Sequence, residues 1–157
     1  MLNVDRIDPA IGHYIAGFVD GEGSFILKFR PRPDFSTGWK VSLTFNVSQK
    51  DEVILALIKK HLGCGTIFQK GGGVWMYEVN NLNSIRDHVV PFFRRFGFLS
   101  AKKKRDFATF VAMHYLLLEG KHLESDGIRA LLTMRRNMNG GGKRKYAEEE
   151  ILASLKI

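Results

Sequence analysis

The chain has 157 residues, 45% of them hydrophobic and 25% charged, and its 24 Lys and Arg against 16 Asp and Glu leave a net charge of +8. That length suits one domain able to bury roughly 70% of its unfolded surface; no apolar run approaches the ~18 residues of a membrane span, and the lone Cys64 rules out an internal disulfide or a cysteine-built zinc site. The positive charge favours a polyanion such as nucleic acid, or an anionic membrane surface, and MLNVDRIDPA carries no secretory signal, so an intracellular location is expected.

Asp8-Pro9 opens a predicted helix as N-cap and first helical residue. Ile11, Tyr14, Ile15, Phe18 and Val19 fall on one stripe of it, and Gly12, His13, Ala16, Gly17 and Asp20 on the other side. An interior Gly costs about 1 kcal/mol against Ala, so that small-residue side is expected either to meet another backbone closely or to be buried within its own domain. After Gly23 the period changes to two. SFILKFRPRP sets Phe25, Leu27 and Phe29 against Ile26, Lys28, Arg30 and Arg32. WKVSLTFNVSQ sets Val41, Leu43, Phe45 and Val47 against Lys40, Ser42, Thr44, Asn46 and Ser48. The two runs form a long hairpin joined through DFSTG.

DEVILALIKKHLG predicts a helix with acids at its start and Gly63 as its stop. GTIFQK and VWMYEV, joined through Gly71–Gly73, form a second hairpin. Ser84 is a candidate cap for a helix through Phe96, with Pro91 expected to kink or end it. KKKRDFATFVAMHYLLLEGKH opens basic and becomes an apolar helix in which Met113 and Leu116–Leu118 read as core. RALLTMRRNMN, the basic loop GGGKRK and YAEEEILASLKI close the chain. The expected architecture is α+β, an αββαββα core over about residues 8–120 with C-terminal helices and a basic loop over 121–157, all in one domain.

An antiparallel sheet with helices on its apolar face would leave Lys28, Arg30, Arg32, Lys40, Ser42, Thr44, Asn46 and Lys70 on the other. Those side chains suit phosphates and base edges, although a solvated sheet face is the common alternative. Only Glu78 is acidic within the four strands. Asp20 stands late in the first helix, where the macrodipole disfavours a carboxylate without a compensating cation. Glu22, between Gly21 and Gly23, is a candidate oxygen ligand for Mg²⁺ beside a phosphate, or simply a solvated acid on a glycine-rich turn. His61, His88, His114 and His122 lack metal-like spacing, and Cys64 before Gly65 reads as a small buried residue.

The run YIAGFVDGEGSF resembles the signature of the LAGLIDADG homing endonucleases, and the likeness extends through FNVSQKDE and PFFRRFGFLSAKKKRDF to about Phe110, with a looser match at GGGKRKYAEEE. The resemblance implies a saddle-shaped four-stranded sheet over the DNA major groove. It also implies a homodimer, since one motif is present, with motif helices packed through Gly12, His13, Ala16, Gly17 and Asp20. Glu22, with the Gly21 carbonyl, is then the Mg²⁺ ligand, with Mn²⁺ or Ca²⁺ able to replace it for binding. Asp20 matches a position that braces the helix junction. Gln49 matches a residue that helps place water, and Lys102 or Lys103, with Lys102 favoured, the lysine that stabilises charge on phosphate. Val53 stands where some relatives carry Arg.

For DNA contact the candidates are Ile26, Lys28, Arg30, Arg32, Lys40, Ser42, Thr44 and Asn46, with Arg30 and Lys40 suited to guanine and Asn46 to adenine. Phe68, Lys70, Trp75 and Tyr77 join them from the second hairpin, where the aromatics could equally be core. Lys143, Arg144 and Lys145 read as phosphate contacts. The implied activity is a site-specific double-strand break with short 3′ overhangs in a long pseudo-palindromic target, carried out by an intron-encoded mobile-element protein. An intron-splicing maturase that binds RNA, a non-cleaving DNA-binding regulator and a basic structural protein are the competing readings.

Overall fold

The computed structural model describes residues 1–141 and 144–156. A 3-10 turn, Val4–Arg6, leads to helix α1, Pro9–Glu22, whose cap Asp8 accepts the Ala10 N–H at 2.8 Å. The chain passes straight into strand β1, Gly23–Pro31, and then β2, Trp39–Gln49. Helix α2, Glu52–Leu62, is capped by Asp51 and stopped by Gly63 in the left-handed conformation. Strands β3, Thr66–Gly71, and β4, Val74–Val79, complete the expected αββαββ order. Four helical segments follow: α3 over residues 82–95, α4 Ala101–Leu118, α5 Ser125–Arg135 and α6 Glu148–Ser154. None of the described helices is long and apolar enough to cross a membrane.

The four strands make one antiparallel sheet in the order β1-β2-β4-β3. The register places Phe25 opposite Phe45 and Phe45 opposite Val79, so the odd-numbered residues of β1, β2 and β4 face the core, except Pro31 and Gln49 at the strand ends, which lie outside it. Phe25 is the centre of that core: its ring lies 4.9 Å from Phe110, 5.2 Å from Phe45 and 5.4 Å from Phe107. The helices cover this face, while Lys28, Arg30, Lys40 and Ser42 stand on the opposite one. Ile128, Leu131, Met138 and Ile151 belong to the same buried cluster, so the C-terminal segments extend this core rather than building a second.

Helix α3 starts one cap earlier than expected, with Asn81 rather than Ser84 accepting the end N–H at 3.0 Å. Pro91 does not end it. The helix widens to a π turn over Ile85–Val89 and continues to Arg95. Pro91 has no N–H for the carbonyl of Asp87, and that carbonyl accepts the Leu2 N–H at 2.7 Å instead, which ties down the N-terminus.

Two groups of side chains whose facing the sequence left open turn to the core. In α1 the buried stripe is Gly12, Ile15, Ala16 and Val19, while Tyr14 is 55% exposed. Gly12 is needed there because a Cβ would come within 2.4 Å of the Phe96 ring. Gly12 and Ala16 are therefore packed within their own chain, and the outward stripe is Ala10, His13, Tyr14, Gly17 and Gly21. In the second hairpin Tyr77 is wholly buried, donating its hydroxyl to the Cys64 carbonyl at 2.9 Å, and Trp75 packs against the core on the same side of β4. Both aromatics are odd-numbered on a strand whose odd face is the inner one. Burial pushes the Tyr77 phenol far above its ordinary pKa.

Gly12→Ala should lower the free energy of unfolding by about 1–3 kcal/mol, the range for overpacking a filled core, seen as a lower denaturant midpoint at unchanged m value. Gly17→Ala, where an added Cβ meets nothing within 4 Å, should leave the single chain as stable or raise it by up to about 1 kcal/mol through helix propensity. Equal losses in the two variants would mean that α1 is rotated from this orientation.

Candidate nucleic-acid interface and catalytic site

Helix α1 runs through Glu22 itself, so the acid stands on the last helical turn rather than on a loop. Gly23 turns the backbone from helix to strand; a Cβ there would strike the Val19 side chain. The hairpin brings Gln49 alongside, and its amide Nε2 donates to Glu22 Oε2 at 3.2 Å. Glu22 is exposed, and its other carboxylate oxygen has no hydrogen-bond partner among the described residues. The two residues that the motif and the strand end nominate separately, 27 positions apart, thus share one contact.

Asp20 does not join Glu22. It accepts the N–H groups of Leu99 and Ser100, each at 3.0 Å, and the Ser100 hydroxyl. Ser100 is the N-cap of α4, so the negative C-terminal end of α1 meets the positive start of α4. The compensation expected from a cation comes from these donors. Burial alone would raise the Asp20 pKa, but the bonds from Ser100 and Leu99 outweigh it and hold it below the ordinary value. These bonds make the helix junction that the motif resemblance assigned to Asp20.

Helix α4 then presents two lysines differently. Lys103 is 5% exposed and its ammonium donates to the Gly23 carbonyl, one residue from Glu22. Burial, followed by the charge of Lys102, pushes the Lys103 pKa down, while Asp106 and Asp20 oppose this. Lys102 keeps 53% of its side chain exposed and pairs with Asp106 at 3.0 Å. Lys103 is thus a buried clamp on the backbone of the motif, and Lys102 is the more exposed of the two.

On the sheet face, Lys28 pairs with Glu78 at 3.2 Å. By register this bridge crosses β2 directly over Thr44. Thr44 is 1% exposed and Asn46 9%, so the two candidate base readers lie recessed on the floor of the face. Ile26 and Ser42 are half-buried beside them, and Arg30, Lys40, Phe68 and Lys70 stand exposed. Arg32 is turned into the hairpin tip, paired with Asp34 at 2.7 Å and stacked on Phe35. Arg144 donates to the carbonyls of Arg135 and Met138 and so braces the C-terminal turn. Lys145 remains exposed, and Lys143 lies outside the described residues.

Sequence reading missed Arg135, Asp106 and Asn139. Arg135 is buried over the Phe29 ring at 4.9 Å and borders a cleft of about 600 Å³ shared with Lys28, Arg30, Lys40 and Lys145. The spacing of Lys102 and Asp106, four residues apart on a helix, was a legible signal for their pairing. Nothing local marked Arg135 or Asn139 as neighbours of β1.

This geometry, a motif helix ending in an acid beside a hairpin that opens onto a basic sheet face, defines a nuclease-type nucleic-acid-binding fold. Residues 15–114 match the family model for LAGLIDADG endonucleases, and the chain belongs to that family. It is 28% identical over 132 residues to a probable intron-encoded endonuclease 2 of Neurospora crassa, covering 82% of this chain but 29% of that protein. It is 27% identical over 146 residues to the homing endonuclease I-ApeII of Aeropyrum pernix, with 88% and 86% covered. The archaeal intron-encoded homing endonuclease I-Vdi141I, solved in complex with DNA, superposes with a TM-score of 0.81 at 30% identity, over 90% of this chain and 92% of that one. The chain therefore spans under a third of the Neurospora protein and nearly the whole of the two archaeal ones.

Asp20→Asn should cost about 1–3 kcal/mol at pH 7, the scale of hydrogen bonds to a charged acceptor. Because the folded-state pKa is depressed, the carboxylate's contribution is fully present above the unfolded pKa of about 3.9. It is lost as the pH falls from there through the lower folded value. Thermal melts of wild type and variant should therefore converge as the pH falls through the depressed folded value, and a gap that does not narrow on acidification would show that charge is not what the junction uses.

Proposed function

We propose that this protein is a site-specific homing endonuclease that works as a homodimer and makes a Mg²⁺-dependent break in both strands of a long pseudo-palindromic DNA duplex. The Glu22–Gln49 contact at the open end of the first hairpin carries this reading. It puts an exposed carboxylate and an orienting amide at one edge of a cation-rich sheet face.

The donor set fits the ion. Asp20 is engaged by Leu99 and Ser100, so the motif of one chain offers the Glu22 carboxylate, with the Gly21 carbonyl one residue before it. Mg²⁺ commonly takes one or two carboxylates and completes its octahedron with water and substrate phosphate. When bound, the ion supplies Lewis-acid stabilisation of the charge that develops on phosphate. Glu22 would hold it, and Gln49 would fix the Glu22 rotamer. Lys102 would place positive charge at the scissile phosphate. Lys103 keeps the Gly23 backbone in register beneath them.

Two such sites, one for each strand, require two protomers. The outward stripe Ala10, His13, Tyr14, Gly17 and Gly21 supports their pairing along α1, since Gly17 and Gly21 have empty space in front of them. Small residues there permit a short interaxial distance, which would bring the two Glu22 side chains near the two-fold axis. Arg30, Lys40, Lys70 and Lys145 would take up phosphates along each half-site, a term that weakens steeply with salt.

Wild type incubated with Mg²⁺ and a randomised duplex library should yield one family of cut sites with short 3′ overhangs. Glu22→Gln should bind the recovered duplex within a few-fold of wild type yet cut it at least 10²-fold more slowly. Cutting at the wild-type rate would remove Glu22 from the mechanism, and binding without cutting by the wild type would favour a regulator or maturase. Sedimentation of Gly17→Leu should show a monomer that keeps the wild-type far-UV circular dichroism, melts at a temperature independent of its concentration and makes no double-strand cuts. If that variant stays dimeric, the pairing face lies elsewhere.

A further inference from the structure

Resting on the reading of Lys102 as the lysine at the scissile phosphate, we infer that Asp106 is a positioning residue for it, and that the C-terminal turn Met138–Gly141 holds Asp106 in place. Asp106 is 3% exposed. A carboxylate so withdrawn from water is costly unless both of its oxygens are engaged. Its Oδ2 accepts the Lys102 ammonium at 3.0 Å, and its Oδ1 accepts the backbone N–H of Asn139 at 3.2 Å. Asn139 in turn donates from Nδ2 to the carbonyl of Phe25 at 3.0 Å.

The geometry at Asn139 is committed to this task. It is the one non-glycine residue with positive φ among the described residues, at φ 52° and ψ 36°, a conformation that asparagine tolerates better than most side chains. β1 is an edge strand, and its outward carbonyls at Gly23 and Phe25 are covered by Lys103 and Asn139 respectively. Asp106 therefore joins three parts that are far apart in sequence: the start of α4, the first residues of β1 and the turn after α5.

The Lys102 ammonium has three donors. One is spent on Asp106 and two remain to meet a phosphate from the exposed side. Without the carboxylate, a flexible four-carbon stem on the helix surface would sample many rotamers, and its charge would be displaced from the site for much of the time. Loss of Asp106 should then lower the rate of the chemical step and leave DNA affinity nearly unchanged, because Lys102 contributes to binding only as one cation among many. The same reasoning makes the C-terminal turn a determinant of catalysis through Asp106.

The test is a double-mutant cycle under single-turnover conditions, with the duplex recovered from the wild-type library as probe and with binding measured in parallel in Ca²⁺. Lys102→Met should cut at least tenfold more slowly, and Asp106→Asn about as much, each binding the duplex within about threefold of wild type. The double variant should be no slower than Lys102→Met alone, since a residue acting through another adds nothing once that other is gone. Asp106→Glu should recover part of the rate. Multiplying losses, or losses that appear in binding rather than in rate, overturn the inference while leaving Lys102 in its role. A Lys102→Met variant that cuts at the wild-type rate overturns both. Because Asp106→Asn could unfold the turn, Asn139→Ala is carried alongside; it disfavours the left-handed backbone and removes the Phe25 bond while Asp106 and Lys102 stay intact. It should slow cutting in wild type but not in a Lys102→Met background, and equal slowing in both backgrounds would assign the turn a purely structural role.

Discussion

The end of α1 and the start of α4 meet at Asp20, and the rest of the site depends on that contact. A carboxylate in the last turn of a helix is unfavourable by itself. Here it accepts the N–H groups of Leu99 and Ser100 and the Ser100 hydroxyl, so two opposed helix ends satisfy one another. This junction brings the basic opening of α4 to β1. Lys103 then reaches the Gly23 carbonyl, and Lys102 is left facing outward. Glu22, two residues after Asp20, is thereby held near the lysines, although it touches neither.

The outer face of the sheet is a recessed floor beneath a cationic rim. Glu78, the acid within the four strands, is consumed by Lys28 across β2 and by Asn80 at 3.2 Å. That bridge shields Thr44 and Asn46, whereas Arg30, Lys40 and Lys70 remain exposed at the margin. Such a face meets a polyanion first through the rim, which suits fast, salt-sensitive association.

The C-terminal segments contribute to this face as well as to the core. Arg135 lies buried over Phe29, Trp39 donates its indole N–H to Ser154 at 3.0 Å, and Tyr146 stacks edge-on to Trp39 at 5.2 Å. The far end of the first hairpin is thus held by residues more than a hundred positions away. A long two-stranded ribbon is marginal when isolated, and this buttress lets it project its basic residues at fixed spacing.

What the sequence determined by itself was whatever depends on local period and on contiguous motif chemistry. Alternation by two set the core and outer faces of β1 and β2, and Asp8, Asp51 and Gly63 marked helix ends through their own capping preferences. Glu22 and Gln49 were nominated by the resemblance of their segments to the family's, and their mutual contact was added by the fold. The rotation of α1 was not legible, because Gly12 is covered by Phe96 and Ala16 by the tertiary core rather than by any feature of the helix; neither was the inward turn of Trp75 and Tyr77, because an aromatic on a strand fits either face and only the pairing with β2 decides which. The separate tasks of Lys102 and Lys103 were likewise settled in three dimensions. Adjacent residues on a helix point about 100° apart, and only the placement of β1 and of the Asn139 turn around α4 determines which ammonium meets a buried carbonyl and which a carboxylate at the surface.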